Sequence, residues 1–98
     1  MKKLVSRTNV ETVSARITGK VQGVGFRMST VRQAHSLGIT GWVRNLEDGS
    51  VEALLQGEHD TIDQMLAWLR VGPPAARVDN VDSDEVQENR HYDRFEQI

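Results

Sequence analysis

Cysteine is absent from the 98 residues, which excludes a disulfide framework and any thiol nucleophile. No run of about 18 apolar residues occurs, so no helix is expected to span a membrane. The basic N-terminus, Met1-Lys2-Lys3-Leu4-Val5-Ser6-Arg7, is not followed by the apolar stretch of a signal peptide, and the cytoplasm is the expected compartment. Aromatic residues make up only 5% of the chain and the formal net charge is -2. A nucleic-acid binder normally carries a net basic field or a set of stacking aromatics, so neither nucleic acid nor a membrane is expected as a partner. Any anion site must be local.

The remaining composition, 38% hydrophobic and 27% charged, is that of a soluble protein with one modest core. Residues 1–10 show no period and read as a flexible arm before a single domain at 11–98. From Glu11 to Gly19, Val13, Ala15 and Ile17 alternate with polar neighbours, the mark of a strand with one wet face. Phe26, Thr30, Ala34 and Leu37 recur at helical spacing, with Gly38 placed to end the helix. Ile39 to Asn45 reads as a second strand and Asn45-Leu46-Glu47-Asp48-Gly49 as a hairpin loop. Val51, Ala53 and Leu55 give a third strand. A second helix spans about Asp60 to Val71, with Ile62, Met65, Leu66 and Leu69 on its apolar face, and Gly72-Pro73-Pro74 stops it.

Ala76, Val78, Val81 and Val86 suggest a fourth strand whose alternation shifts once, as across a bulge. Phe95 and Ile98 could add a short fifth strand. The order β-α-β-β-α-β, with two half-wet strands and a hairpin between strands two and three, points to an α+β fold. Its economical form is the ferredoxin-like βαββαβ sandwich, an antiparallel sheet with two helices on one face.

That topology has a functional consequence. Strands one and two run the same way because a helix returns the chain between them. The loop leaving strand one and Asn45 at the end of strand two therefore emerge at one edge, about 10 Å apart if strand three lies between them. The loop lies within Gly19-Lys20-Val21-Gln22-Gly23-Val24-Gly25-Phe26-Arg27. It is not a P-loop, since Val24 stands where the second glycine is needed, nor a dinucleotide loop, since Met28 replaces the third glycine. Strand, glycine-rich loop and helix N-terminus can still aim several N–H groups at one anion, although the same glycines also suit a tight turn. Arg27 faces the positive end of the helix dipole at a cost of roughly 0.3–1 kcal/mol. A bound phosphate reverses the sign of that cost and accepts a two-pronged guanidinium contact; an acidic partner for the arginine is the alternative. Asn45 suits a turn, and its amide equally suits a water, accepting with oxygen and donating with nitrogen.

Other candidates are weaker. His35, His59 and His91 share no ligand spacing, and Asp79 to Glu85 lacks the glycine and terminal glutamate of a calcium loop. Trp42 and Trp68 read as packing residues.

The residues from Gly19 to Arg27 closely resemble the signature of the acylphosphatase family. Gly41-Trp42-Val43-Arg44-Asn45 with Asp48-Gly49-Ser50-Val51-Glu52 resembles its second signature, and Gly72-Pro73-Pro74-Ala75-Ala76-Arg77-Val78 its exit from the second helix. The resemblance implies a ferredoxin-like, metal-free and cofactor-free hydrolase that splits acyl phosphates into carboxylate and inorganic phosphate. The family's phosphate-binding arginine falls on Arg27 and its water-orienting asparagine on Asn45. The phosphate cradle would comprise Gln22, Gly23, Val24, Gly25, Phe26 and Arg27. Met28 stands where an aromatic is common in the family. A monomer is expected. The alternatives are a non-catalytic anion-binding module, which has no need of Asn45, and a domain of a larger carbamoyl-transfer maturation protein, against which the chain's length argues. An RNA-binding sheet is disfavoured for want of paired aromatics on its wet face.

Overall fold

A computed structural model describes residues 10–98. The alternating segments become β1 (Val10–Lys20), β2 (Thr40–Asn45), β3 (Val51–Glu58), β4 (Arg77–Glu85) and β5 (Phe95–Gln97), and the periodic ones α1 (Phe26–Leu37) and α2 (His59–Leu69). The arm expected over residues 1–10 lies outside the described residues except for Val10, which opens β1 opposite Glu58. Glycine ends α1: Gly38 takes φ 71°, and Ile39 N–H donates to the Ala34 carbonyl at 2.9 Å. The second helix stops two residues before the expected Val71. Val71 N–H donates to the Trp68 carbonyl three residues back at 3.0 Å, a tightened last turn, and Gly72 then takes the left-handed φ of 70° that ends it.

The strand order is β4-β1-β3-β2-β5. β1 and β2 are both antiparallel to β3, so they run the same way with β3 between them. The four-strand body is antiparallel as expected, while β5 joins β2 in parallel and makes the sheet mixed. The shifted alternation in β4 is a bulge: Thr18 pairs with Asn80 and Gly19 with Val78, leaving Asp79 as the extra residue. That insertion lets both Val78 and Val81 pack on the core.

Val13, Ala15 and Ile17 of β1 lie opposite Leu55, Ala53 and Val51 of β3. Together with Val43 they face Phe26 and Ala34 of α1 and Ile62, Met65, Leu66 and Leu69 of α2 in one core. The other sheet face is drier than strict alternation predicts. Thr12, Leu54 and Gln56 on that face are buried, because the chain returning from β4 to β5 crosses that end of the sheet. Gln56 holds it, donating to the Arg90 carbonyl at 2.9 Å and to Thr12 Oγ1 at 3.1 Å, while Tyr92 N–H donates to its Oε1 at 2.9 Å. Trp42 stands half-buried on this face beneath the Arg44 guanidinium, 5.1 Å from the ring centre. Trp68 packs against Phe26 in the core, as expected.

Candidate active site

The loop after β1 is shaped by two glycines with left-handed backbone, Gly23 at φ 75° and Gly25 at φ 76°. Nothing lies within 4 Å of a Cβ built on either one. Conformation, rather than space, therefore calls for glycine at both positions. Gly25 is also the N-cap of α1 and supplies no side chain to the helix start. Its carbonyl accepts from Ser29 N–H at 3.1 Å, so the N–H groups of Phe26, Arg27 and Met28 have no partner within the helix. No acidic residue stands in that first turn.

A cavity of about 210 Å³ opens at this helix end, and its wall includes Gln22, Gly23, Gly25, Phe26, Arg27 and Asn45. Six of the seven residues singled out in the sequence thus share one cavity. Val24 does not line it; its half-buried side chain packs against the core instead. Asn45 comes from the end of β2, opposite Val51, on the helix-facing side of the sheet, and is exposed. Among the described residues its amide has no hydrogen-bond partner, which leaves both its ends available to a ligand.

Arg27 is half-buried. Its Nη1 donates to the main-chain oxygen of Ile98 at 3.3 Å, and no aspartate or glutamate side chain pairs with it among the described residues. This single main-chain contact leaves most of the guanidinium's five donors uncommitted.

Three further wall residues emerge from the structure: Val21, Met28 and Gln97. Val21 is buried at the strand exit, and Met28 is 55% exposed at the mouth. Gln97 lies opposite Val43 in the β5–β2 pairing. The signal for Gln97 was present, since a polar residue two places after the buried Phe95 must face the same side.

The hairpin beside Asn45 is closed by Leu46 N–H donating to the Ser50 carbonyl at 2.9 Å and Gly49 N–H to the Leu46 carbonyl at 3.2 Å. Asp48 Oδ1 accepts from the Ser50 N–H and hydroxyl, and Arg16 pairs with Oδ2. The Ser50 hydroxyl, then its N–H, then Arg16 hold the Asp48 carboxyl below its ordinary range.

Among the described residues, no titratable side chain other than Arg27 lines the cavity. His59 with Asp60 and Asp63 could approach a metal ion, but all three are exposed, and His59 is already bonded to Glu11 at 3.1 Å. The acidic run lies along the exposed edge strand β4. Among the described residues no helix is long and apolar enough to cross a membrane.

Comparison with known proteins adds a family to this geometry. The family model described as Acylphosphatase matches residues 13–97. An acylphosphatase of Paraburkholderia xenovorans is 61% identical over 88 residues, covering 90% of this chain and 91% of the relative. The solved acylphosphatase of Coxiella burnetii superposes with a TM-score of 0.89 at 40% identity, covering 94% of this chain and 96% of that one. That of Bacillus subtilis superposes at 0.86 with 28% identity, covering 91% and 98%.

Proposed function

The chain belongs to the acylphosphatase family, hydrolases acting on acid anhydrides, and on that premise we propose that Asn45 orients a water for direct attack on a phosphoryl group held by Arg27 and the 22–26 backbone. The observation that supports this reading is the meeting of Arg27, Asn45 and the glycine loop on one cavity. At about 210 Å³ it is smaller than the roughly 300–1,000 Å³ that drug-sized ligands occupy. A phosphoryl group, a water and the beginning of an acyl chain suit that size.

An acyl phosphate leaves as a stable carboxylate, so its departure needs little proton donation. The work is to hold the phosphoryl group, stabilise charge on its oxygens and place the water in line. Arg27 and the N–H groups at the start of α1 perform the first two tasks, and Asn45 the third. The water oxygen bonds to phosphorus as the phosphorus–acyl oxygen bond breaks with its electron pair. A phosphate oxygen takes the water's proton, giving carboxylate and dihydrogen phosphate. The same reading takes the domain as residues 11–98, acting as a cytoplasmic monomer without metal or other cofactor.

Hydrolysis of acetyl or benzoyl phosphate in the presence of a chelator tests the reaction, and full activity is expected. Asn45→Ala should lower kcat by about 10²-fold or more. Arg27→Ala should abolish both turnover and inhibition by inorganic phosphate. It also removes an unfavourable cation from the helix start, worth roughly 0.3–1 kcal/mol, so its Tm should not fall by more than a few degrees. Wild-type kinetics in both variants would refute the assignment.

A further inference from the structure

The Gln22 side chain joins the two halves of the cavity. Its Nε2 donates to the Leu46 carbonyl at 2.8 Å and to the Ser50 carbonyl at 2.9 Å. Only the NH2 end of an amide can serve two carbonyls at once, so the orientation of the side chain is settled by its partners. Both acceptors belong to the hairpin that directly follows Asn45. Each also accepts within the hairpin, Leu46 from Gly49 N–H and Ser50 from Leu46 N–H. Gln22 thus occupies the second lone pair of each carbonyl and ties a turn of the β2–β3 connection to the loop after β1, 24 and 28 residues earlier.

Asn45 itself has no side-chain partner among the described residues. Its position relative to the glycine loop depends on its backbone, the last residue of β2, and on the turn that begins beside it. On one side the turn is held by Arg16 through Asp48 and the Ser50 hydroxyl; on the other it is held by Gln22. Arg16 belongs to the sheet and anchors the turn to β1. Gln22 belongs to the loop and ties the turn to it.

We infer that Gln22 is a positioning residue: its side-chain amide locks the Asn45 hairpin to the phosphate loop, acting on turnover through Asn45 rather than on phosphate affinity. This rests on the role proposed for Asn45. A misplacement of about 1 Å can cost on the order of 10²-fold in rate, so Gln22→Leu, which keeps bulk and removes both donors, should lower kcat by about 10- to 100-fold. Competitive inhibition by inorganic phosphate should change by less than about twofold, because the loop N–H groups and Arg27 remain.

The deciding measurement is a double-mutant cycle on kcat with acetyl phosphate. In the Asn45→Ala background, Gln22→Leu should cost less than about twofold, because the group it positions is gone. Equal factors in both backgrounds, a weakened phosphate inhibition that accounts for the whole loss, or wild-type kcat in Gln22→Leu would each overturn the inference. If Gln22→Leu does not fold, Gln22→Glu replaces it, since it keeps the length and sets a carboxylate against two carbonyls. Wild-type activity in Asn45→Ala alone would remove the Asn45 role and this inference with it. A crippled Asn45→Ala with multiplying losses removes only the inference.

Discussion

At the scale of single residues, Gly25 illustrates how backbone conformation serves the cavity. Its φ of 76° and ψ of 21° cost an L-residue about 1–2 kcal/mol, and its position at the N-cap sets the direction of the free N–H groups that follow. Gly25→Ala should lower Tm by about 5–15 °C for a domain of this size and raise the inhibition constant of inorganic phosphate; a calorimetric scan and an inhibition series check both. Arg27 was legible in the sequence because a cation at a helix N-terminus is locally unfavourable. Asn45 was legible only through its neighbours, since asparagine before a turn is ordinary. The Gln22 bonds were not legible, because they depend on β3 inserting between β1 and β2, which no local pattern encodes. Val24 was expected in the cradle through the loop backbone, and its apolar side chain packs inward on the core, where burial favours it.

At the scale of elements, β5 has more influence than its three residues suggest. Phe95 is 2% exposed, its carbonyl lies 3.3 Å from His35 Nε2 of α1, and Ile98 N–H donates to the Val43 carbonyl at 2.9 Å. The same strand brings Gln97 to the cavity wall and the Ile98 oxygen to Arg27. Phe95→Ala should destabilise by about 3–5 kcal/mol. Where the fold survives at low temperature, phosphate inhibition should weaken, because Arg27 loses its tether; a Tm drop with unchanged inhibition would separate the strand from the site. The β4 bulge was readable as a broken alternation, since two valines three apart cannot face one side of an unbroken strand. The parallel pairing of β5 was not readable, because it depends on where the returning chain crosses the sheet. Gln56, an ordinary wet-face residue in the sequence, holds that crossing.

At the scale of the whole molecule, two exposed ionic contacts shape how stability depends on pH, and their signs oppose. Asp48 has its pKa lowered in the folded state, first by the Ser50 hydroxyl and N–H and then by Arg16. Between the lowered value and the ordinary 3.8, the unfolded chain binds more protons than the folded one. Its contribution is therefore present above 3.8 and is lost as pH falls through the folded pKa. His59 has its pKa raised, chiefly by its bond to Glu11 and then by Asp63. Above the ordinary 6.5 the folded state binds more protons, so its contribution is complete below that value and lost as pH rises through the folded pKa. Both contributions are full only between 3.8 and 6.5. Tm measured against pH should fall off on both sides of that window as far as these two groups govern it. Asp48→Asn should flatten the acid limb alone, and Glu11→Gln the limb above 6.5 alone. The first pair joins the Asn45 hairpin to β1 at Arg16 and the second joins α2 to β1 at Glu11, near the start of the strand. The kcat with acetyl phosphate should therefore respond to Asp48→Asn, through the Asn45 hairpin, and be indifferent to Glu11→Gln. A variant that changed the wrong limb, or a kcat that followed His59, would show that the two contacts on β1 are not independent.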